Sequence, residues 1–289
     1  MKLENEFLCV EITEAGAEVV RIFDRKNGTE ILWEGDPLYW KRHSPILFPN
    51  VGKTFRNQVL IDGVSYPTSQ HGFARDQVFT CVDSSGEKAL FLLASSDETK
   101  KIYPYEFKLY IGYRLRGKEL EVEWRVENCG NQQMYFTIGG HPAFRFAKKE
   151  EKKEDYALKF PGKEMLSYIL LDPDTGTGRP ETKYPLELTD GMCPLTEEMF
   201  EKDALIFDGG QIEEAWLCHK DGTPYVGIRC GGFLNFGIWS VKDAPFVCLE
   251  PWAGRCDNYG FDGDISEKTG IISLGEKEIF VKSYNIIAG

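Results

Sequence analysis

Apolar and polar residues alternate with a period of two along much of the chain. Phe107, Leu109, Ile111, Tyr113 and Leu115 fall on one face, Arg116-Gly117-Lys118-Glu119 offers a turn, and Leu120, Val122, Trp124 and Val126 again share a face. The pattern predicts an antiparallel hairpin with one wet side. A second hairpin is expected over residues 19–33, turning at Asn27-Gly28, and a third over 58–66, turning at Asp62-Gly63. Both dipeptides suit the positive φ that tight hairpin turns need. The last third offers the strand-like runs PYVGIRC, FLNFGIWS, FVCLEPW and EIFVKSYNII between glycine-rich turns. Helical periodicity is scarce. Its best candidate is Pro194–Lys202, where Thr196 would cap the N-terminus ahead of Glu197 and Glu198. The charge run that opens residues 147–165 predicts a solvated loop. With no repeat and no linker, the expectation is a single all-β domain over 1–289, a large antiparallel β-sandwich of two stacked sheets.

Composition narrows the function classes. The 289 residues are 42% hydrophobic, 28% charged and 13% aromatic, as in globular proteins. A net charge of −12 repels a phosphate backbone and argues against nucleic-acid partners, although local Lys and Arg can still cluster in a cleft. Eight cysteines (Cys9, Cys81, Cys129, Cys193, Cys218, Cys230, Cys248 and Cys256) are scattered without a C-x-x-C pair, which gives no support for zinc or redox motifs. Several sit in apolar runs, where a free thiol acts as a small core residue. The N-terminus MKLENEFLCV lacks a long apolar region, and no run approaches the roughly 20 residues of a membrane span. These features predict a protein of the reducing cytoplasm with no membrane partner.

Four segments break the strand pattern. HSPILFPNVGKTFRN (43–57) is shaped by two prolines and a glycine and presents Lys53 and Arg56, either ordinary surface charge or donors to sugar hydroxyls or phosphate. QHGFARD (70–76) places His71 and Arg75 around Gly72. GGHPAFRF (139–146) projects His141 from a strand end, where it serves either a tight turn or chemistry. APFVCLEPWAGRCDN (244–258) ends an apolar run on Glu250, followed by Trp252. A buried carboxyl has a raised pKa suited to acid–base work, and an aromatic face suits the C–H face of a sugar ring.

In this order, SPILFPNVGK, QHGFARD, GGHPAFRF and PFVCLEPWAGRCDN resemble the aldose 1-epimerase (sugar mutarotase) family, in particular its LacX-like branch. The resemblance spans most of the chain and implies the galactose mutarotase-like supersandwich, with the site on the concave face of one sheet. It further implies Glu250 as base on the C1 hydroxyl, His141 as acid on the ring oxygen and His71 as a helper near that oxygen. A hydroxyl-binding aspartate falls on Asp203, with Asp208 as rival. Where galactose-type members carry an Asn-Arg pair in the early loop, this chain reads PNVGKTFRN, leaving Lys53 or Arg56 to take that place.

The implied reaction interconverts α and β anomers of a hexose by ring opening. It moves protons only, so no cofactor or metal is expected, in keeping with the lack of a Gly-x-Gly-x-x-Gly after a strand. The partner is a small sugar, and the chain a monomer or homodimer. Three alternatives stay open: a non-catalytic sugar-binding protein stacking on Trp239 and Trp252, a glycosidase or lyase pairing Glu250 with Asp203 or Asp257, and a hexose-phosphate mutarotase gripping phosphate through Lys53, Arg56 and Arg75.

Overall fold

The computed structural model describes residues 1–289, and nearly every regular element in it is a strand. The predicted central hairpin is present: Phe107–Arg116 pairs with Glu119–Asn128 around a two-residue turn, with Gly117 at φ 58°. Leu109, Ile111, Val122, Trp124 and Val126 are buried, while Lys108, Arg114 and Glu123 face water. This hairpin lies within a nine-stranded antiparallel sheet. The C-terminal strand Ile279–Ala288 flanks Glu119–Asn128 and joins it to Pro224–Arg229.

A second antiparallel sheet carries the candidate site. Its strands run in the order Leu205–Asp208, Asn235–Trp239, Phe246–Ala253, Ile138–Gly140 and Ile46–Leu47, and Ala143–Arg145 also pairs with Phe246–Ala253. Alternation sorts its residues into two faces. Leu205, Phe207, Phe236, Ile238, Val247, Leu249 and Ala253 join the core shared with the nine-stranded sheet. Ile206, Trp239, Phe246, Cys248 and Trp252 pack into separate clusters on the opposite face. The result is the expected β-sandwich, with the candidate site on the outer face of one sheet. The N-terminal strands Lys2–Glu4, Leu8–Ile12, Val19–Asp24 and Thr29–Glu30 form a further small sheet whose Leu3, Val10 and Ile22 reach the same core.

Three local expectations are corrected. Pro194–Lys202 is not a helix: Pro194 pairs with Ala157 in a strand, and only a single 3-10 turn, Glu198–Phe200, follows. Leu195 and Phe200 are drawn into the core from a segment too short to bury a helical stripe. The one α-helical turn is Asp97–Lys100, capped reciprocally by Ser96 and Thr99. The charge run is solvated only in part. Lys153 is fully buried, with Nζ bonded to Glu197 Oε1 at 2.8 Å and to the carbonyls of Val241 and Ala244. At Asn27-Gly28 only Gly28 takes positive φ, and Asp24 Oδ1 accepts from the backbone of Lys26 and Asn27 in a longer loop. Asp62 and Gly63, by contrast, both take positive φ.

Candidate active site

Glu250 ends the apolar run but does not end the strand. It is interior to Phe246–Ala253, in which every residue is buried, and Pro251 stands opposite Phe236. On the other side, the neighbouring chain is interrupted between Gly140 and Ala143. Gly139 pairs with Trp252 before the break and Ala143 with Cys248 after it, so both registers continue to His141 opposite Glu250. The break frees Pro251 from a ladder partner there and lets His141 turn its ring onto the site face. Trp252 lies across the same face over two glycines: a Cβ on Gly139 or Gly237 would come within 2.5 or 2.4 Å of its indole.

His141 Nε2 is 3.2 Å from Glu250 Oε2, and both groups are buried. His141 stacks on Trp40 at 4.8 Å between ring centroids and meets Trp239 edge-on. Burial drives both partners toward neutrality. It pushes the Glu250 carboxyl well above the ordinary range, offset in part by the Trp252 side chain and reinforced by Asp203. It pushes the His141 imidazole down to about 3, with Arg75 and Arg42 adding to the effect. Glu250 Oε2, His141 Nδ1 and the Trp252 indole N–H all lack an aligned hydrogen-bond partner in the protein. Buried polar atoms left in this state are free to bind a ligand.

His71 is positioned by its backbone. It and Gly72 take φ 67° and 70°, and a Cβ on Gly72 would strike the Phe48 carbonyl at 2.2 Å. His71 and Gly52 then bond reciprocally: the His71 N–H donates to Gly52 O at 2.8 Å, and the Gly52 N–H donates to His71 Nδ1 at 3.1 Å. Because Nδ1 accepts, Nε2 carries the proton of a neutral ring. Burial, with His141, Arg75 and Arg42 nearby, holds that ring well below the ordinary imidazole pKa. His71 is thus a fixed donor beside His141, with ring centroids 5.4 Å apart.

The model of the family described as Aldose 1-epimerase matches residues 1–201. The chain belongs to the aldose 1-epimerase family. It is 29% identical to Protein LacX (chromosomal) of Lactococcus lactis subsp. lactis, over 99% of this chain and 98% of that protein. A galactose mutarotase related enzyme from Lactobacillus acidophilus superposes with a TM-score of 0.94 at 29% identity, covering 100% of this chain and 97% of that one. A galactose mutarotase-like protein from Lactobacillus casei ATCC 334 does so with a TM-score of 0.91 at 28% identity, covering 100% and 99%. Family and fold together support a sugar epimerase of the mutarotase type. The matched residues include His71 and His141 but stop short of Asp203 and Glu250, so the case for those acids rests on geometry.

In this aldose 1-epimerase homologue, Glu250, His141, His71, Lys53, Arg75, Asp203 and Trp252 all line one cavity of about 680 Å³. Arg56 does not: it is exposed, stacked over Phe55 at 5.1 Å. Of the early-loop pair, only Lys53 faces the cavity. Asp208 is committed elsewhere, accepting from Arg255 Nε at 2.9 Å and Asn235 Nδ2 at 2.7 Å. Asp257, the other suggested partner for Glu250, is buried against Lys268. Trp40, Lys41, Arg42, Gln70 and Lys242 also line the cavity and were not anticipated. Trp40-Lys41-Arg42 sits directly before the first distinctive segment, but a basic pair beside an aromatic residue is common in surface loops. His141 and Glu250 together with Cys248 could also hold a metal ion, their ligand atoms lying within 4.8 Å of one another.

Proposed function

We propose that the protein is an aldose mutarotase that interconverts α and β anomers by acid–base ring opening, acting as one domain over residues 1–289. The observation that carries this reading is the buried His141–Glu250 couple, 3.2 Å apart in the cavity with His71 as a donor beside it. Glu250 takes the proton of the C1 hydroxyl while His141 protonates the ring oxygen. The C1–O5 bond opens, the aldehyde turns about C1–C2, and the two groups reverse roles to close the other anomer. His71 donates from Nε2 toward the ring oxygen. Asp203 accepts from sugar hydroxyls, Arg75 and Lys53 donate to them, and Trp252 supplies the floor.

Burial sets the proton balance of this cycle. The couple shares one proton. With the ring closed, the working form is Glu250 carboxylate and His141 imidazolium. Ring opening leaves Glu250 protonated and His141 neutral, the form that burial favours in both groups. The neutral pair is equally the resting form with the ring closed, so turnover starts by moving the shared proton from Glu250 to His141. Eight free thiols are compatible with work in a reducing compartment, and no helix is long and apolar enough to cross a membrane.

Anomer-exchange NMR over a panel of aldoses tests the proposal. Exchange catalysed by the wild type and lost in Glu250→Gln is expected. Binding without any acceleration across the panel would instead mark a sugar-binding protein.

A further inference from the structure

We propose that the preferred substrate is an aldose bearing an anionic group at C6, a phosphate or a carboxylate, gripped by Arg42 and Arg75. This rests on the mutarotase reading and deepens it.

The first support is an inversion of charge. Over the whole chain Asp and Glu outnumber Lys and Arg by 46 to 34. In the cavity the order reverses: Lys41, Arg42, Lys53, Arg75 and Lys242 face only Asp203 and Glu250. A neutral sugar needs no such excess, whereas an anion is drawn to it.

The second is the state of the two arginines. They share one carboxylate: Arg42 Nη2 is 2.7 Å from Asp76 Oδ1, and Arg75 Nε is 3.9 Å from Asp76 Oδ2. Arg42 Nη1 also lies 3.5 Å from the backbone carbonyl of Arg75, which holds the Arg42 side chain against that segment. Asp76 is the one acid paired with either guanidinium, and Glu18 acts on Arg75 only from farther off. Arg75 Nε is buried and has no hydrogen-bond partner. A planar guanidinium with a free donor matches the paired oxygens of a phosphate or carboxylate.

The third is the geometry of the sugar. The ring oxygen is bonded to C1 and C5, and C6 hangs from C5. A pyranose with its C1 hydroxyl on Glu250 and its ring oxygen at His141 therefore projects C6 past the ring oxygen, toward the His71 side. Arg75 flanks that side, with Nη2 donating to the carbonyl of Gln70, the residue before His71. Both arginines lie close enough to act electrostatically on His71 and His141.

The test combines anomer-exchange NMR with calorimetric binding, using a free hexose, its 6-phosphate and its 6-carboxylate (the uronate). At least one anionic sugar is expected to show a kcat/KM about tenfold or more above the free hexose, in line with charge-assisted hydrogen bonds. That advantage should shrink as salt is raised, and in folded Arg42→Gln the anionic-to-neutral ratio should fall toward one. Which anionic arm responds identifies the group. Equal or better turnover of the free hexose would overturn the anion proposal while leaving the mutarotase reading intact. Salt-dependent binding of an anionic sugar without any exchange would do the reverse. Neither binding nor exchange would end both.

Discussion

His141 and Glu250 oppose each other across an interrupted pair of antiparallel strands, with side chains 3.2 Å apart. The pairings on both sides of the interruption lead to the same register. The separation of the two groups is therefore set by the sheet, not by the closing of a loop, as pre-organised acid–base chemistry requires.

Removing the charge of Glu250 should separate activity from stability. Glu250→Gln is expected to lower mutarotation by about a hundredfold or more. It should also raise Tm, because a carboxyl buried in this site is disfavoured when ionised. The folded-state pKa lies above the ordinary 4.5, so the native carboxyl loses stability as pH rises through that range. The variant's gain should be absent in acid and grow toward neutral pH, reaching about 2–4 °C for each kcal/mol removed. Thermal melts across pH check it, and a lower Tm for the variant at neutral pH would contradict it.

The couple should hold its single proton over a wide pH range. Acid must add a second proton to an imidazole pushed down to about 3, and alkali must strip a carboxyl pushed well up. These belong to the pair as macroscopic steps. The kcat/KM profile is expected to be a broad bell whose acid limb lies well below the 6.5 of a free imidazole. An acid limb at the ordinary imidazole value would show that His141 titrates as a solvated group.

At His71 the informative replacement is asparagine, which tolerates φ 67° and can keep an acceptor for the Gly52 N–H. It cannot reach as far as Nε2. His71→Asn should fold normally and lose about tenfold or more in kcat, the effect of one hydrogen bond made to the reacting ring. Unchanged kcat in the folded variant would reduce His71 to a structural role.

Gly237→Ala would set a methyl 2.4 Å from the Trp252 ring at a position whose backbone needs no glycine. About 1–3 kcal/mol of destabilisation is expected from overpacking, with weaker sugar binding as the indole tilts. In a Trp252→Ala background the same glycine replacement should cost little further stability, a coupling that a double-mutant cycle measures.

Much of this was legible in the sequence because a sheet writes itself as alternation. Phe107 to Val126 named its own faces, and the same parity along Phe246–Ala253 puts Glu250 with Trp252 and apart from Leu249. The segments around His71, His141 and Glu250 stood out because glycine and proline interrupt that alternation. Loop chemistry carries no such period. Arg42 and Trp40 reach the cavity because Glu18, a residue in another turn, accepts the backbone N–H groups of His43 and Ser44 at 2.7 and 2.8 Å, a long-range contact with no local signature. Arg56 illustrates the opposite failure. It sits in the right segment, yet a positive φ of 59° turns the chain so that its side chain covers Phe55.

If one side chain of the couple gives whenever the other takes, the cavity carries the same total charge at every stage of a turnover. Such a site is a closed circuit: it needs no proton wire to bulk water, no moving counter-ion and no second opening. The one cavity that His141 and Glu250 line would then suffice.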